Sequence, residues 1–346
     1  MKILVVAPSW IGDVVMSQCL YKTIKQLHPD SIIHVLAPKW CLPVLNRMTE
    51  VDRAILMPIG HGSFAFKERV QLGKSFALTK YDEAYILPNS WKSALIPYFA
   101  NIKKRTGWKG ECRYFLINDL RSNKEKFPLL VERYTALAYP KSQMQDNKCI
   151  PEILIPSLKF NAELSEEVKN KLNIDTSKNF LGLCPGAEYG PTKKWPVEYY
   201  AEFSNEYLKT HENSEILIFG SNKDLETANE ILNFISDDLK NRVNILAGKT
   251  SIEEAIDLLA LCKLVICNDS GLMHISAGVG TKLIAIFGST STKYTPPQSK
   301  DALIIESTEP CHPCFKKQCK FQTMACLKGI TPQYVIEKMK ERWPNL

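Results

Sequence analysis

Five short polar stretches hold the residue types that phosphate and sugar chemistry needs. The most telling is Asn268-Asp269-Ser270-Gly271-Leu272-Met273-His274. The apolar run before it, Leu264-Val265-Ile266, suits a buried parallel strand. The small residues after it, Ile275 to Val279, suit a helix capped by Asp269 or Ser270. Such a turn places backbone N–H groups and the positive end of a helix dipole at the carboxyl edge of a sheet, where anionic ligands bind. Gly271 admits a ligand to the main chain with no Cβ in the way. An ordinary capped strand–helix loop would use the same residues.

A second stretch runs from Pro185 to Pro196 and contains Gly186, Gly190, Thr192, Lys193 and Lys194 ahead of a helix. It suits a phosphate cradle with Lys193 or Lys194 as the point charge, or an exposed basic turn. The G-x-x-x-x-G-K-[ST] pattern is not matched. In Phe219-Gly220-Ser221-Asn222-Lys223-Asp224, Asp224 can accept from a ribose diol or match a helix dipole as a first-turn acid. Gly288 to Thr292 adds hydroxyls after another strand, so four loops of one domain point to a nucleotide diphosphate. The last stretch, Pro8-Ser9-Trp10-Ile11-Gly12-Asp13, has one glycine and is no dinucleotide fingerprint. Asp13, at a helix start, serves either as a cap or as a general base.

The elements that must position these residues alternate in type. In the first half, strands at Ile3–Ala7, Ile32–Ala37, Ala54–Met57 and Ala84–Leu87 alternate with helices at Asp13–Leu27, Lys39–Arg47, Phe66–Leu78 and Ser90–Ala100. In the second half, strands at Phe180–Cys184, Ile216–Phe219, Val243–Leu246 and Leu283–Phe287 join the Leu264 run. They alternate with helices at Val197–Leu208, Lys223–Ile235 and Ile252–Leu261, and Pro332–Arg342 is a final helix. This is an α/β chain with two doubly wound Rossmann-like domains facing a central cleft. The expected domains are 1–160 and 175–330, with the terminal helix, 332–346, packing back on the first. Residues 141–178, rich in Ser, Asn, Lys and Pro, read as a link.

A chain of 346 residues is long enough for two domains. It has no apolar run of about 18 residues, so no transmembrane helix is expected. The start is too short and wrongly built for a signal peptide, so the protein is expected in the cytoplasm. The net charge of +7 admits an anionic substrate or membrane surface without requiring nucleic acid. Lys103, Lys104, Arg105, Lys109 and Arg113, with Trp108 among them, form a basic cluster or a solvated loop. Of 11 cysteines, Cys311, Cys314, Cys319 and Cys326 are grouped. Their spacing leaves metal binding, disulfides and free thiols open, and no metal is assigned.

Taken in order, Pro8 to Asp13, Pro88-Asn89-Ser90-Trp91-Lys92-Ser93-Ala94, Arg105-Thr106-Gly107-Trp108, Lys193-Lys194-Trp195-Pro196, Asn268 to His274 and Tyr294-Thr295-Pro296-Pro297 resemble the ADP-heptose-dependent lipopolysaccharide heptosyltransferases. These are inverting enzymes of glycosyltransferase family nine with the GT-B fold. The resemblance implies transfer of L-glycero-D-manno-heptose from ADP-heptose to the first heptose of heptosyl-Kdo2-lipid A, at the cytoplasmic face of the inner membrane and with no cofactor. It implies Asp13 as base and Lys193 as the diphosphate contact, with Gly186, Lys194, Asp224, Asp269, Ser270, Gly271 and His274 completing the donor site. Ser9, Gly12, Lys103 and Arg105 are the acceptor candidates. Family members carry paired threonines where this chain has Ala187-Glu188-Tyr189-Gly190. Another nucleotide sugar or another inner-core position is the nearest alternative. A zinc or nucleic-acid module is the remoter one, predicting stoichiometric metal and salt-sensitive binding.

Overall fold

The computed structural model describes residues 1–346 apart from His61. The chain divides into two compact units, residues 1–159 with 293–295 and residues 160–292 with 296–346. Among the described residues no helix is long and apolar enough to cross a membrane.

The first unit contains β1 (Lys2–Val6), α1 (Ile11–Leu27), β2 (Ile32–Ala37), α2 (Leu42–Leu45), β3 (Arg53–Leu56), α3 (Phe66–Ala77), β4 (Glu83–Ile86), α4 (Leu95–Phe99), β5 (Lys104–Trp108), β6 (Asp119–Arg121) and α5 (Leu130–Leu137). Its sheet runs β3-β2-β1-β4-β5-β6, and every pairing is parallel. Ile3 to Val6 are buried without alternation, as expected of strands covered on both faces. The core gathers Leu4, Val6, Ile86, Ile96 and Ile117.

The second unit contains α6 (Glu166–Leu172), β7 (Asn179–Cys184), α7 (Val197–Thr210), β8 (Ser214–Ile218), α8 (Leu225–Phe234), β9 (Val243–Ile245), α9 (Ile252–Leu261), β10 (Cys262–Asn268), α10 (Gly271–Val279), β11 (Leu283–Phe287), β12 (Ala302–Glu306), α11 (Ala325–Lys328) and α12 (Pro332–Arg342). Its parallel sheet runs β12-β11-β10-β7-β8-β9. Counted within each unit, the two strand orders are the same, 3-2-1-4-5-6. The order reverses between β1 and β4 and again between β7 and β10. Loops that leave the carboxyl ends of these strands therefore sit where open sheets bind ligands.

Several elements differ from the sequence reading. The expected helix over Ser90–Ala100 begins as a 3-10 turn, Trp91–Ala94, and only Leu95–Phe99 is α-helical. β5, β6 and β12 occur where no strand was expected, because they carry Lys104, Arg105, Asp119 and Arg121 or lie beside polar turns. The 141–178 stretch holds α6, whose charged sequence hides a single buried anchor, Leu172, beneath a Ser165 cap. The chain leaves the first unit pinned, since Gln18 exchanges hydrogen bonds with the Ser157 backbone at 2.7 and 2.8 Å. It enters the second with Asn161 N donating to Asp257 Oδ1 at 2.8 Å.

The terminal helix requires a correction. α12 packs on the second unit, burying Val335 and Met339 in that unit's core beside Ile330 and Leu327. Its apolar stripe is matched by α7 and β12, so it does not return to the first unit. In the other direction, residues 293–295 leave the second unit's sequence to join the first. There Leu130 N donates to Tyr294 O at 2.9 Å, and the Arg133 guanidinium lies 4.8 Å over the Tyr294 ring.

Candidate active site

In the second unit the loops after β7, β8, β10 and β11 are stitched together by side chains. Asn268, at the end of β10 and fully buried, accepts from Trp195 N at 3.0 Å and donates to Pro185 O at 2.7 Å. One amide thus fixes both ends of the Pro185–Pro196 loop. Trp195 is anchored a second time by donating Nε1–H to Ile330 O at 2.8 Å.

That loop carries Lys193 onto the β10 turn. Lys193 Nζ lies 2.5 Å from Asp269 Oδ2, which also accepts from Thr290 Oγ1 at 2.7 Å. The ammonium is 5.0 Å from the centre of the Tyr189 ring. Lysine, aspartate and threonine come from three loops, so the cation is oriented before any ligand arrives. Ser270 is the N-cap of α10, but its side chain makes no cap bond. Its Oγ is buried and has no hydrogen-bond partner. A buried hydroxyl without a partner costs free energy, and here it stands at a helix N-terminus suited to anions. His274 is buried one turn into α10. Burial pushes its imidazole down to about 4, with Lys193 adding to the effect and Asp269 opposing it.

Asp224 fills the first-turn acid role that its position allowed. Its Oδ2 accepts from Ser221 N at 2.9 Å and Ser221 Oγ at 2.8 Å, closing a capping box. Its Oδ1 remains 3.9 Å from Lys194 Nζ. A Cβ at Gly186 would stand 2.7 Å from that same Oδ1, so glycine is what lets the carboxylate reach the β7 loop.

The cysteine segment braces this site. Phe315 N donates to Ser289 O at 2.8 Å, and Thr192 Oγ1 and Tyr189 Oη donate to Lys316 O and Phe315 O, each at 2.5 Å. Cys311 is exposed, Cys314 and Cys319 are half-buried, Cys326 is buried, and none is in a disulfide. Among the described residues no group of three or more His, Cys, Asp or Glu side chains is arranged to hold a metal ion.

In the first unit Asp13 lies in the first turn of α1, half-exposed. The N-cap is Trp10, with no side-chain cap bond, so Asp13 is not the cap residue. Burial first, then the Asp13 charge, pushes the Cys41 thiol up to about 12. The same two causes raise the Tyr134 phenol. Gly12 is buried in the same turn, and Ser9 O accepts from Trp40 Nε1 at 2.8 Å.

The basic cluster is not one surface. Lys103 is exposed, but Lys104 pairs with Glu83 at 2.9 Å. Arg105 turns its guanidinium onto Leu116 O at 2.7 Å and Ile102 O at 2.5 Å. Arg113 is buried and donates to Pro88 O at 2.6 Å and Trp108 O at 2.7 Å. These arginines serve as internal braces, because β5 carries the segment into the sheet. Sequence reasoning missed Asn268, Thr290 and Tyr189 as supporting residues. All three lie inside or beside the polar stretches, but nothing in the residue types distinguishes a brace from a ligand contact.

A family model for glycosyltransferase family 9 (heptosyltransferase) matches residues 69–325. The chain belongs to glycosyltransferase family 9. Lipopolysaccharide heptosyltransferase 2 of Salmonella typhimurium is 45% identical over 341 residues, 98% of this chain and 97% of that protein. Lipooligosaccharide heptosyltransferase 2 of Haemophilus influenzae is 45% identical over 346 residues, covering 99% of each chain. The solved structure of E. coli ADP-heptose lipopolysaccharide heptosyltransferase II matches with a TM-score of 0.86 at 42% identity, covering 99% of this chain and 98% of that one. The two Rossmann-like units are thus the GT-B fold of a family 9 glycosyltransferase.

Proposed function

We infer that this family 9 glycosyltransferase moves L-glycero-D-manno-heptose from ADP-heptose to the first heptose of the lipopolysaccharide inner core, with inversion. The near-full-length identity to heptosyltransferase 2 proteins supports the substrates. The observation that carries the donor site is the Lys193–Asp269–Thr290 constellation beside the unpartnered Ser270 hydroxyl.

In this reading Asp13 takes the proton of the acceptor hydroxyl. The freed oxygen forms its bond to the anomeric carbon as the carbon–oxygen bond to the diphosphate breaks on the opposite face. ADP leaves with the electron pair. The growing negative charge meets Lys193, the Ser270 hydroxyl and the N–H groups that open α10. A helix terminus alone gives ~0.3–2 kcal/mol, whereas a preorganised donor in a dry site supplies ~3–4 kcal/mol. Lys193 is therefore the larger contributor. Lys194 and Asp224 hold the ribose end, and Gly186 gives the Asp224 carboxylate room. Ser9 and Gly12 line the acceptor side around Asp13, with Lys103 meeting the acceptor's anionic groups. No cofactor is needed, and the enzyme works at the cytoplasmic face of the inner membrane.

The test follows ADP release from ADP-heptose and monoheptosylated Kdo2-lipid A with EDTA present. Wild type is expected to turn over, and Asp13→Ala to lose ~100-fold or more while still binding ADP. An active Asp13→Ala variant would make Asp13 a structural first-turn acid. An inactive wild type that binds another nucleotide sugar would overturn the donor assignment.

A further inference from the structure

One feature of the first unit has no part in the donor chemistry. Phe64, Phe66 and Tyr98 are 52%, 42% and 41% exposed. They are not scattered. The Phe64 ring stacks on Phe66 at 6.0 Å and on Trp91 at 6.0 Å. Phe66 meets Phe99 edge-on at 6.1 Å, and Phe99 meets Tyr98 at 5.3 Å. Single exposed aromatics need no explanation, but a continuous aromatic patch on a protein surface marks an interaction site.

The chain holds these rings outward. Arg69, itself buried, donates to Phe64 O at 2.7 Å and Ser63 O at 3.1 Å. Lys92 Nζ donates to Gly62 O at 2.9 Å and Ser63 O at 3.1 Å. Ala65 adopts a φ of +38°, a left-handed conformation costly for a residue with a Cβ. That turn sets Phe64 and Phe66 side by side. Gly73 lets α3 lie against α4, since a Cβ there would stand 2.7 Å from Phe99 Cβ.

The segment that carries the patch is mainly basic. Between Gly62 and Arg105 there are eight basic and three acidic residues. Lys67 is exposed beside Phe66, and the Arg105 guanidinium lies 5.4 Å over Tyr98. The nearby acids are Glu68 on α3 and Glu111, which accepts from Trp91 N at 2.7 Å. Aromatic rings set among lysines are the composition that settles into the headgroup region of a bilayer, and anionic lipid attracts each basic side chain near its surface.

We propose that Phe64, Phe66, Trp91, Tyr98 and Phe99, with Lys67 and Lys92, form a rigid docking surface for an anionic lipid bilayer. The proposal deepens the reading that the acceptor is carried in a membrane, and it places the membrane contact on the α3–α4 face.

The test sediments the full chain with phosphatidylcholine vesicles and with vesicles in which about one lipid in four is phosphatidylglycerol. Wild type is expected to partition onto the anionic vesicles and to be released by salt. Phe64→Ser/Phe66→Ser is expected to lower partitioning ~10-fold or more through lost apolar insertion. Lys67→Glu is expected to lower it ~5-fold or more. Circular dichroism and turnover on a deacylated acceptor report on folding and chemistry separately, and both stay at wild-type level. Wild type that remains in the supernatant, or a double variant that partitions like wild type, overturns the proposal. So does a wild-type dimer that the double variant dissolves without changing vesicle binding, since the face would then belong to a second copy. Failure of wild type on the deacylated acceptor would overturn the acceptor assignment and leave the vesicle result standing.

Discussion

Lys193→Ala separates catalysis from the local ion pairing that the structure shows. In that pair the Lys193 side chain is 14% exposed and the Asp269 side chain 8% exposed. The variant leaves a mostly buried carboxylate that keeps the Thr290 hydroxyl at 2.7 Å but loses its cation. Breaking such a pair from one side costs about 3 kcal/mol, the low end for buried pairs because both ends still touch solvent. In a unit of this size that lowers Tm by ~6–12 °C. The second effect is independent. One preorganised donor at the leaving diphosphate is worth ~3–4 kcal/mol, so kcat falls ~100–1,000-fold. The double variant Lys193→Ala/Asp269→Asn has no bare carboxylate, and most of the lost Tm is expected to return while turnover stays low. Thermal unfolding and ADP release at saturating donor measure the two effects. A single-variant turnover loss under about threefold, or recovery of turnover together with Tm in the double variant, would reduce Lys193 to a counter-ion for Asp269.

Two further outcomes follow from the same loops. His274, pushed down to about 4 from its ordinary 6.5, is neutral in the folded state. The unfolded chain binds the extra proton between those values, so His274 destabilises the fold progressively as pH falls from 6.5 toward 4, by ~3 kcal/mol in all. His274→Gln removes that loss, and urea midpoints of variant and wild type measured at pH 7 and pH 4 should diverge accordingly; a pH-independent difference would contradict it. Asn268→Ala strands the Trp195 N–H and Pro185 O, costs ~1–3 kcal/mol and raises the donor KM more than it lowers kcat. An unchanged urea midpoint would show that the two bonds carry no stability.

The alternation of strands and helices was readable in both units because a doubly wound sheet buries its strands on both faces, leaving runs such as Leu283–Phe287 unmistakably apolar. β5 was not readable, because Lys104 and Arg105 spend their charges on Glu83 and on carbonyls rather than on solvent. Basic residues that brace a sheet edge have the same sequence signature as a solvated cluster. The donor loops were legible as a set, since their glycines, hydroxyls and lysines all follow strands. What joins them was not. Asn268 clamps a loop some 70 residues earlier in the chain, and no local spacing encodes a partner that distant. The place of α12 was missed for a similar reason, because its stripe of Val335 and Met339 fits any apolar groove and the sequence does not say which.

The tripeptide 293–295 means that the chain passes between its two units three times rather than once. Tyr294 gives the first unit a backbone acceptor for Leu130 and a ring beneath Arg133, yet it is encoded deep in the second half of the sequence. Hybrids built from two relatives by a single junction at residue 160 would therefore pair one parent's α5 with the other parent's tyrosine segment. Donor specificity can be exchanged cleanly only if that tripeptide stays with the first unit, so a working hybrid needs three junctions rather than one.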